Sequence, residues 1–198
     1  MASAAAAAPT TEKTVLVPIG HGTEEMEAVI IIDVLRRAGA KVTVASVEDS
    51  PHVVCSRSVR LVADTLIGEC ASNTYDLIAL PGGMPGAERL RDCGTLEALV
   101  RAQAASGRLY AAICATPYVF LQAKGLLDGK VATAHPAFSD GLKDQSRAVD
   151  RVVVDGNLTT SRGPGTAFEF ALSLVKQLYG EEKARLVGGP MVMFQYFV

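Results

Sequence analysis

The sequence has no tryptophan, only four cysteines and three histidines in 198 residues. Nor does it hold any hydrophobic run near the ~20 residues that a membrane-spanning helix needs. Each shortage removes a class of function. Cys55, Cys70, Cys93 and Cys114 stand far apart with no CxxC pair, so neither a disulfide framework nor a zinc site of ordinary ligand spacing is expected. Such sparse cysteine suits a reducing compartment, the cytoplasm first and the nucleus second. Positive charge is not in excess: 19 Lys and Arg face 21 Asp and Glu, a formal net charge of -2. General nucleic-acid binding and attraction to an anionic membrane are therefore not expected. Arginine is also missing from the Ala-rich opening MASAAAAAPTTEK, whose apolar core is weak. Residues 1–13 read as a disordered tail rather than a signal or transit peptide, with organelle targeting left open.

Hydrophobic residues make up 49% of the chain and charged residues 20%, a globular balance. One domain over residues 14–198 is expected. TVLVPI (14–19) reads as a strand, and EEMEAVIIIDVLRRAGA (24–40) as a helix. Met26, Val29, Ile30, Val34 and Leu35 are its expected apolar face, and Gly39 its end. KVTVASV (41–47) alternates as a strand, and HVVCSRSVRLVA (52–63) as a hairpin. YDLIALPGG (75–83) is a buried strand running into a glycine loop, followed by helical material broken near Gly94. LYAAI (109–113) is a strand, and a helix restarts after it with Pro117 in its first turn. KVATAHP (130–136) reads as a further strand ending at His135, and RVVVDGNLTTS (151–161) as a hairpin turning at Asp155-Gly156. SRGPG (161–165) opens a last long helix. Strands alternating with helices predict an α/β fold, a mostly parallel sheet with helices on both faces. Ligands in such sheets bind beyond the carboxyl ends of the strands. That rule gathers Gly20–Glu27, Gly82–Gly86, Cys114–Ala115, His135 and Ser161–Gly165 at one edge.

Chemistry could come from several of these residues. Cys114 sits at a strand-to-helix junction, where it is either a small buried hydrophobe or a nucleophile whose thiolate a helix N-terminus stabilises. Glu27 is either a solvated charge in the first helical turn or a buried acid that stays protonated and donates to that thiolate. Gly83 and Ala115 offer backbone N–H groups for a developing oxyanion if the two loops meet; otherwise Gly82-Gly83 is a turn. His135 is a lone histidine, more often structural than catalytic. Arg57 and Arg162 are candidate anchors for an anionic group, though surface ion pairs are the usual fate of arginine. SRGPG lacks the lysine and spacing of a phosphate-binding loop.

Taken together, GTEEMEAVIIIDVLRRAGAKVTVASV, CSR, YDLIALPGGMPGA, AAICATP, ATAHP and TSRGPGTAFEFAL, in this order, resemble the ThiJ/PfpI superfamily, in its Parkinson-disease-protein (DJ-one) branch. The resemblance covers about residues 14–193. It implies a flavodoxin-like fold and a homodimer, for which Met26, Val29 and Ile30 are candidate contacts. By position it makes Cys114 the reactive, oxidation-prone cysteine, Glu27 its partner acid and His135 the nearby histidine. Gly83 and Ala115 then line the pocket. The activity it implies is cofactor-free, without metal or glutathione: methylglyoxal, glyoxal or early glycation adducts become hydroxy acids, in the setting of carbonyl and oxidative stress. A second reading makes the protein a non-enzymatic redox sensor or redox-regulated chaperone acting through oxidation of Cys114. Peptidase-like relatives place His directly after the cysteine, where this chain has Ala115. Glutamine amidotransferases need His-x-Glu, but Pro136 and Ala137 follow His135. On this reading Cys114 is largely thiolate at neutral pH and Glu27 is protonated beside it.

Overall fold

TVLVPI forms β1 (Thr14–Ile19), in which every residue from Val15 onward is buried, as an apolar run must be when helices cover both sheet faces. In this computed structural model, which describes residues 12–193, α1 (Glu25–Arg37) and β2 (Lys41–Ser46) follow. Next come β3 (His52–Val54), β4 (Arg60–Val62) and the short β5 (Thr65–Leu66). β6 (Leu77–Leu80) leads through the loop at Gly82 to α2 (Gly86–Asp92) and α3 (Gly94–Ala105). β7 (Leu109–Ile113) runs into a π-helical segment (Pro117–Gln122), and α4 (Pro136–Ser139) is a single turn. β8 (Val152–Asp155), β9 (Leu158–Ser161), α5 (Ala167–Tyr179) and α6 (Glu181–Gly188) complete the described chain. Of the expected N-terminal tail, residues 1–11 lie outside the described residues, as do residues 194–198 of the apolar C-terminal stretch.

Seven strands make one sheet in the order β5-β2-β1-β6-β7-β9-β8, parallel except where β8 runs against β9. Strand alternation sorts the core into two layers. Val15, Val17 and Ile19 of β1, with Ala111 and Ile113 of β7, pack with residues of α1 and α5 on one face. Leu16, Tyr110 and Ala112 pack with residues of α3 on the other. This is the flavodoxin-like arrangement expected. β1 has β2 on one side and β6 on the other, so the connections diverge there and open a crevice beyond the strand ends. Among the described residues, no helix is long and apolar enough to cross a membrane.

Three local expectations change. The face that α1 buries is Ala28, Ile31, Val34 and Leu35 together with Glu25 and Glu27, whereas Met26 and Val29 are 54% and 46% exposed. Two carboxylates take inward positions at the start of α1, so hydrophobicity does not mark its inner face there. The hairpin after Arg151 turns at Gly156-Asn157, with Asp155 paired to Leu158; Gly156 has φ +60°, which glycine tolerates without a steric penalty.

The third change concerns KVATAHP, which is not a strand. In its middle the backbone donates to side chains instead of a neighbouring ladder: Val131 N–H to Asp155 Oδ2 at 2.8 Å and Thr133 N–H to Thr160 Oγ1 at 2.9 Å. The Thr133 hydroxyl donates to Ala148 O at 2.8 Å. This tether carries the chain to His135. Both Thr133 and Thr160 are fully buried, so Thr160→Val, which keeps shape and removes the acceptor, should cost about 1–3 kcal/mol of stability. Urea unfolding checks it, and an unchanged midpoint would mean that the bond contributes nothing.

Candidate active site

Cys114 follows β7 with φ +67°, a conformation that side-chain-bearing residues rarely adopt and that persists only when the surroundings hold it. Two hydrogen bonds do so. Its N–H donates to Ser161 O at 3.0 Å, and its carbonyl accepts from His135 N–H at 2.8 Å. The result is a sharp elbow between strand and helical segment, with the Thr116 hydroxyl tied to Pro81 O at 2.7 Å. The N–H groups of Gly83 and Ala115 favour the ionised form of the sulfur. Gly83 and Ala115 line the same cavity as Cys114.

Glu27 is wholly buried. Its Oε2 accepts from Gly82 N–H at 2.8 Å, while Oε1 accepts no hydrogen bond from the described residues. An orphaned buried carboxylate oxygen is costly, and a proton on it turns it into a donor. The side chain facing this carboxyl is Cys114. Gly82 must be glycine for the two to meet: a Cβ there would lie 2.5 Å from Cys114 Cβ and 2.8 Å from Glu27 Oε2.

Burial pushes Glu27 up to about 8 against the bond from Gly82, and the neighbouring Glu24 pushes the same way. At neutral pH its carboxyl is therefore mostly protonated, as expected. Cys114 departs from expectation. Burial and an ionised Glu27 push its thiol up, while the Gly83 and Ala115 N–H groups pull it down. A thiolate here is thus tied to the proton on Glu27. Two adjacent anions repel, whereas a neutral Glu27 donates to the sulfur. Both groups therefore hold their protons at neutral pH, and Cys114 is a thiol there rather than the expected thiolate; its ionisation depends on Glu27 staying neutral.

The elbow opens into a cavity of about 330 Å³ lined by Cys114, Gly83, Ala115 and His135, with Arg57 among the lining residues. Arg57 is exposed, its guanidinium donating to Ser56 O. Its backbone N–H and the Ser56 hydroxyl are both held by the Glu25 carboxylate, each at 2.8 Å. His135 accepts Ala137 N–H at Nδ1, at 3.2 Å, which leaves the Nε2–H as the donor of the neutral ring. Arg162 does not line the cavity; its guanidinium donates to Val149 O. Sequence reasoning missed Glu24, Ser56 and the apolar wall of Met26, Met84 and Phe138. Glu24 carried a signal, because it precedes Glu27 by three residues, about one helical turn.

A mostly parallel sheet with this strand order and a cysteine on the elbow after its fifth-placed strand defines a class, the flavodoxin-like α/β proteins with a cysteine beyond the strand ends. The chain belongs to the DJ-1/PfpI family, whose pattern matches residues 13–177. It is 50% identical over 192 residues to Protein DJ-1 homolog B of Arabidopsis thaliana, covering 96% of this chain and 44% of that protein. The chain thus spans less than half the length of that relative and of a second plant homologue. Over 172 residues it is 38% identical to the Glutathione-independent glyoxalase DJR-1.2 of Caenorhabditis elegans, covering 86% of this chain and 90% of that one. The solved structure of oxidized Toxoplasma gondii DJ-1 superposes with a TM-score of 0.89 at 50% identity, covering 91% and 98% of the two chains.

The state of Glu27 has a thermodynamic signature. The unfolded chain releases this proton near 4.5, and the folded chain holds it to about 8. Between those values the native state binds more protons, so stability falls as pH rises, at up to about 1.4 kcal/mol per pH unit. In a Cys114→Ala background, which leaves only the carboxyl to titrate, adding Glu27→Gln should remove that slope. Urea unfolding at pH 5, 6 and 7 should show the double variant gaining steadily on the single one. A pH-independent gap would place the ionised carboxylate in the native state.

Proposed function

We propose that this chain is a cofactor-independent glyoxalase that converts methylglyoxal to lactate and glyoxal to glycolate. At the hemiaminal of an early glycation adduct the sulfur forms the same hemithioacetal by displacing the amine, which leaves with a proton. The observation that carries this reading is the meeting of a cysteine held at positive φ with a protonated carboxyl and two N–H donors at a small cavity. The name of the nematode relative supports it.

With Glu27 neutral beside it, Cys114 sulfur attacks the aldehyde carbon as the thiol proton passes to the carbonyl oxygen. An S–C bond forms, and the carbonyl electrons move to oxygen beside the Gly83 and Ala115 N–H groups. The hemithioacetal rearranges to a thioester, with C1 oxidised and C2 reduced by the same electron pair. Water then releases the hydroxy acid and returns the thiol. Oxidation and reduction balance within the substrate, so no external oxidant or reductant is consumed, and Cys114 supplies the sulfur that a free thiol would otherwise provide. Cysteine suits it as a strong nucleophile and a good leaving group.

Cys114→Ala should abolish lactate formation from methylglyoxal with the fold intact, while Cys55, Cys70 and Cys93 variants keep most activity. Turnover surviving in Cys114→Ala would overturn the assignment. The two N–H donors and protonated Glu27 also suit an oxidised, anionic sulfur, which supports the sensor reading. No lactate from unmodified protein would leave that reading standing.

The exposed Met26 and Val29, with the half-buried Ile30 beside them, form an apolar stripe on α1 at which we place a second copy of the chain. Sedimentation equilibrium at micromolar concentration should return a dimer mass, and Val29→Lys should shift it toward monomer. A monomer mass for the unmodified chain would exclude this contact.

A further inference from the structure

We propose that Glu24 is the base that moves the substrate's carbon-bound proton, while Glu27 serves only the sulfur. The inference rests on the glyoxalase reading and divides its proton chemistry between two carboxyls. Glu27 has no surface accessible to a water-sized sphere and does not line the cavity. Enclosed by Gly82 and Cys114, it faces the thiol and presents no surface to the cavity. Rearrangement of the hemithioacetal nevertheless requires a proton to leave C1 and arrive at C2, so a group on the cavity side must carry it.

Glu24 lies on that side and lines the cavity. Its carboxyl is pinned rather than free to swing: Oε2 accepts Glu27 N–H at 2.7 Å, and its own backbone N–H donates to Gly82 O at 2.8 Å. The side chain therefore caps α1 and is built into the same corner as Gly82, Glu27 and Cys114. Burial, and then the neighbouring Glu25, raise its proton affinity against the opposing Glu27 N–H bond and Arg57 charge. A base that removes a carbon-bound proton gains from that direction. His135, the other candidate, already accepts a hydrogen bond at Nδ1 and presents a donor at Nε2 when neutral.

In the proposed step the Glu24 carboxylate takes the proton from C1 of the hemithioacetal. The C–H electron pair becomes the C1=C2 bond, and the C2 carbonyl oxygen takes a proton from water in the cavity, giving an enediol on sulfur. Glu24 then returns its proton to C2 as the C1 hydroxyl gives its own back to the hydroxide so formed, which yields the thioester. No oxidant or reductant enters.

The test compares unmodified protein with Glu24→Gln, Glu24→Asp and Glu27→Gln. It reads the rate of Cys114 alkylation by iodoacetamide, kcat and KM for methylglyoxal, and the isotope effect with methylglyoxal deuterated at C1. Glu24→Gln keeps an oxygen that can cap α1. It should alkylate within about twofold of the unmodified protein and keep its KM, yet lose about 10²–10⁴-fold in kcat. Glu24→Asp keeps a carboxylate at shorter reach, so its kcat should exceed that of Glu24→Gln at least tenfold, with a larger isotope effect. Glu27→Gln should instead alter alkylation. Full turnover by Glu24→Gln, equal kcat in the two Glu24 variants, or loss of alkylation in both would overturn the inference while leaving the glyoxalase reading in place. No turnover by the unmodified protein would overturn both.

Discussion

Glu27 places a carboxyl in the interior, 2.8 Å from the Gly82 amide and against Cys114, and much of the site is arranged around that burial. An ionised carboxylate without a full set of partners is expensive in such a place. The proton it retains answers that cost and makes it compatible with a thiolate. The same burial explains why residue 82 has no side chain, since any Cβ would occupy the gap through which acid and cysteine meet. It also explains why α1 begins with charged residues on its inner face: the helix is positioned by its carboxylates as much as by its apolar stripe.

The elbow at Cys114 is the second fixed point, and it is stabilised from a distance. Its unfavourable φ is held by Ser161 O from the end of β9 and by His135 N–H from the extended segment before α4. Segments far apart in sequence thereby converge on one residue, and each is anchored in a different part of the fold. The extended segment is tied through Asp155 and Thr160 to the β8–β9 hairpin. Glu25 in turn holds the β3–β4 loop, and with it Ser56 and Arg57, over the cavity. Disturbing any of these tethers is a way to alter the site without touching the sulfur.

Much of this was legible along the chain, and the exceptions have identifiable causes. β1, β6 and β7 are continuous apolar runs and β2 alternates, so pattern found all four. β5 was too short to register. Lys130–His135 misled because its apolar-polar pattern suits a strand, while in its middle the backbone donates to threonine and aspartate side chains that only the folded chain brings near. The inner face of α1 was misread at Met26 and Val29 because the rule that apolar residues point inward fails where carboxylates are buried for chemistry. Arg162 looked equivalent to Arg57 as a candidate anchor; the path of the chain after β9 turns its guanidinium to Val149 O instead.

By itself the sequence determined the α/β class, the parallel sheet, the strand-end edge that gathers the site, and the elbow cysteine. These follow from local pattern: side-chain periodicity, glycines at turns, and a proline admitted at a first helical turn. Only the tertiary structure decided that Glu27 is sealed while Glu24 faces the cavity, although the two stand three residues apart on the same helix start. It also decided that the ionisation of Cys114 is bound to that of its neighbour. Exposure and proton affinity depend on what other segments pack against a group. That is a property of distances between residues 27, 82 and 114, and no local pattern encodes it.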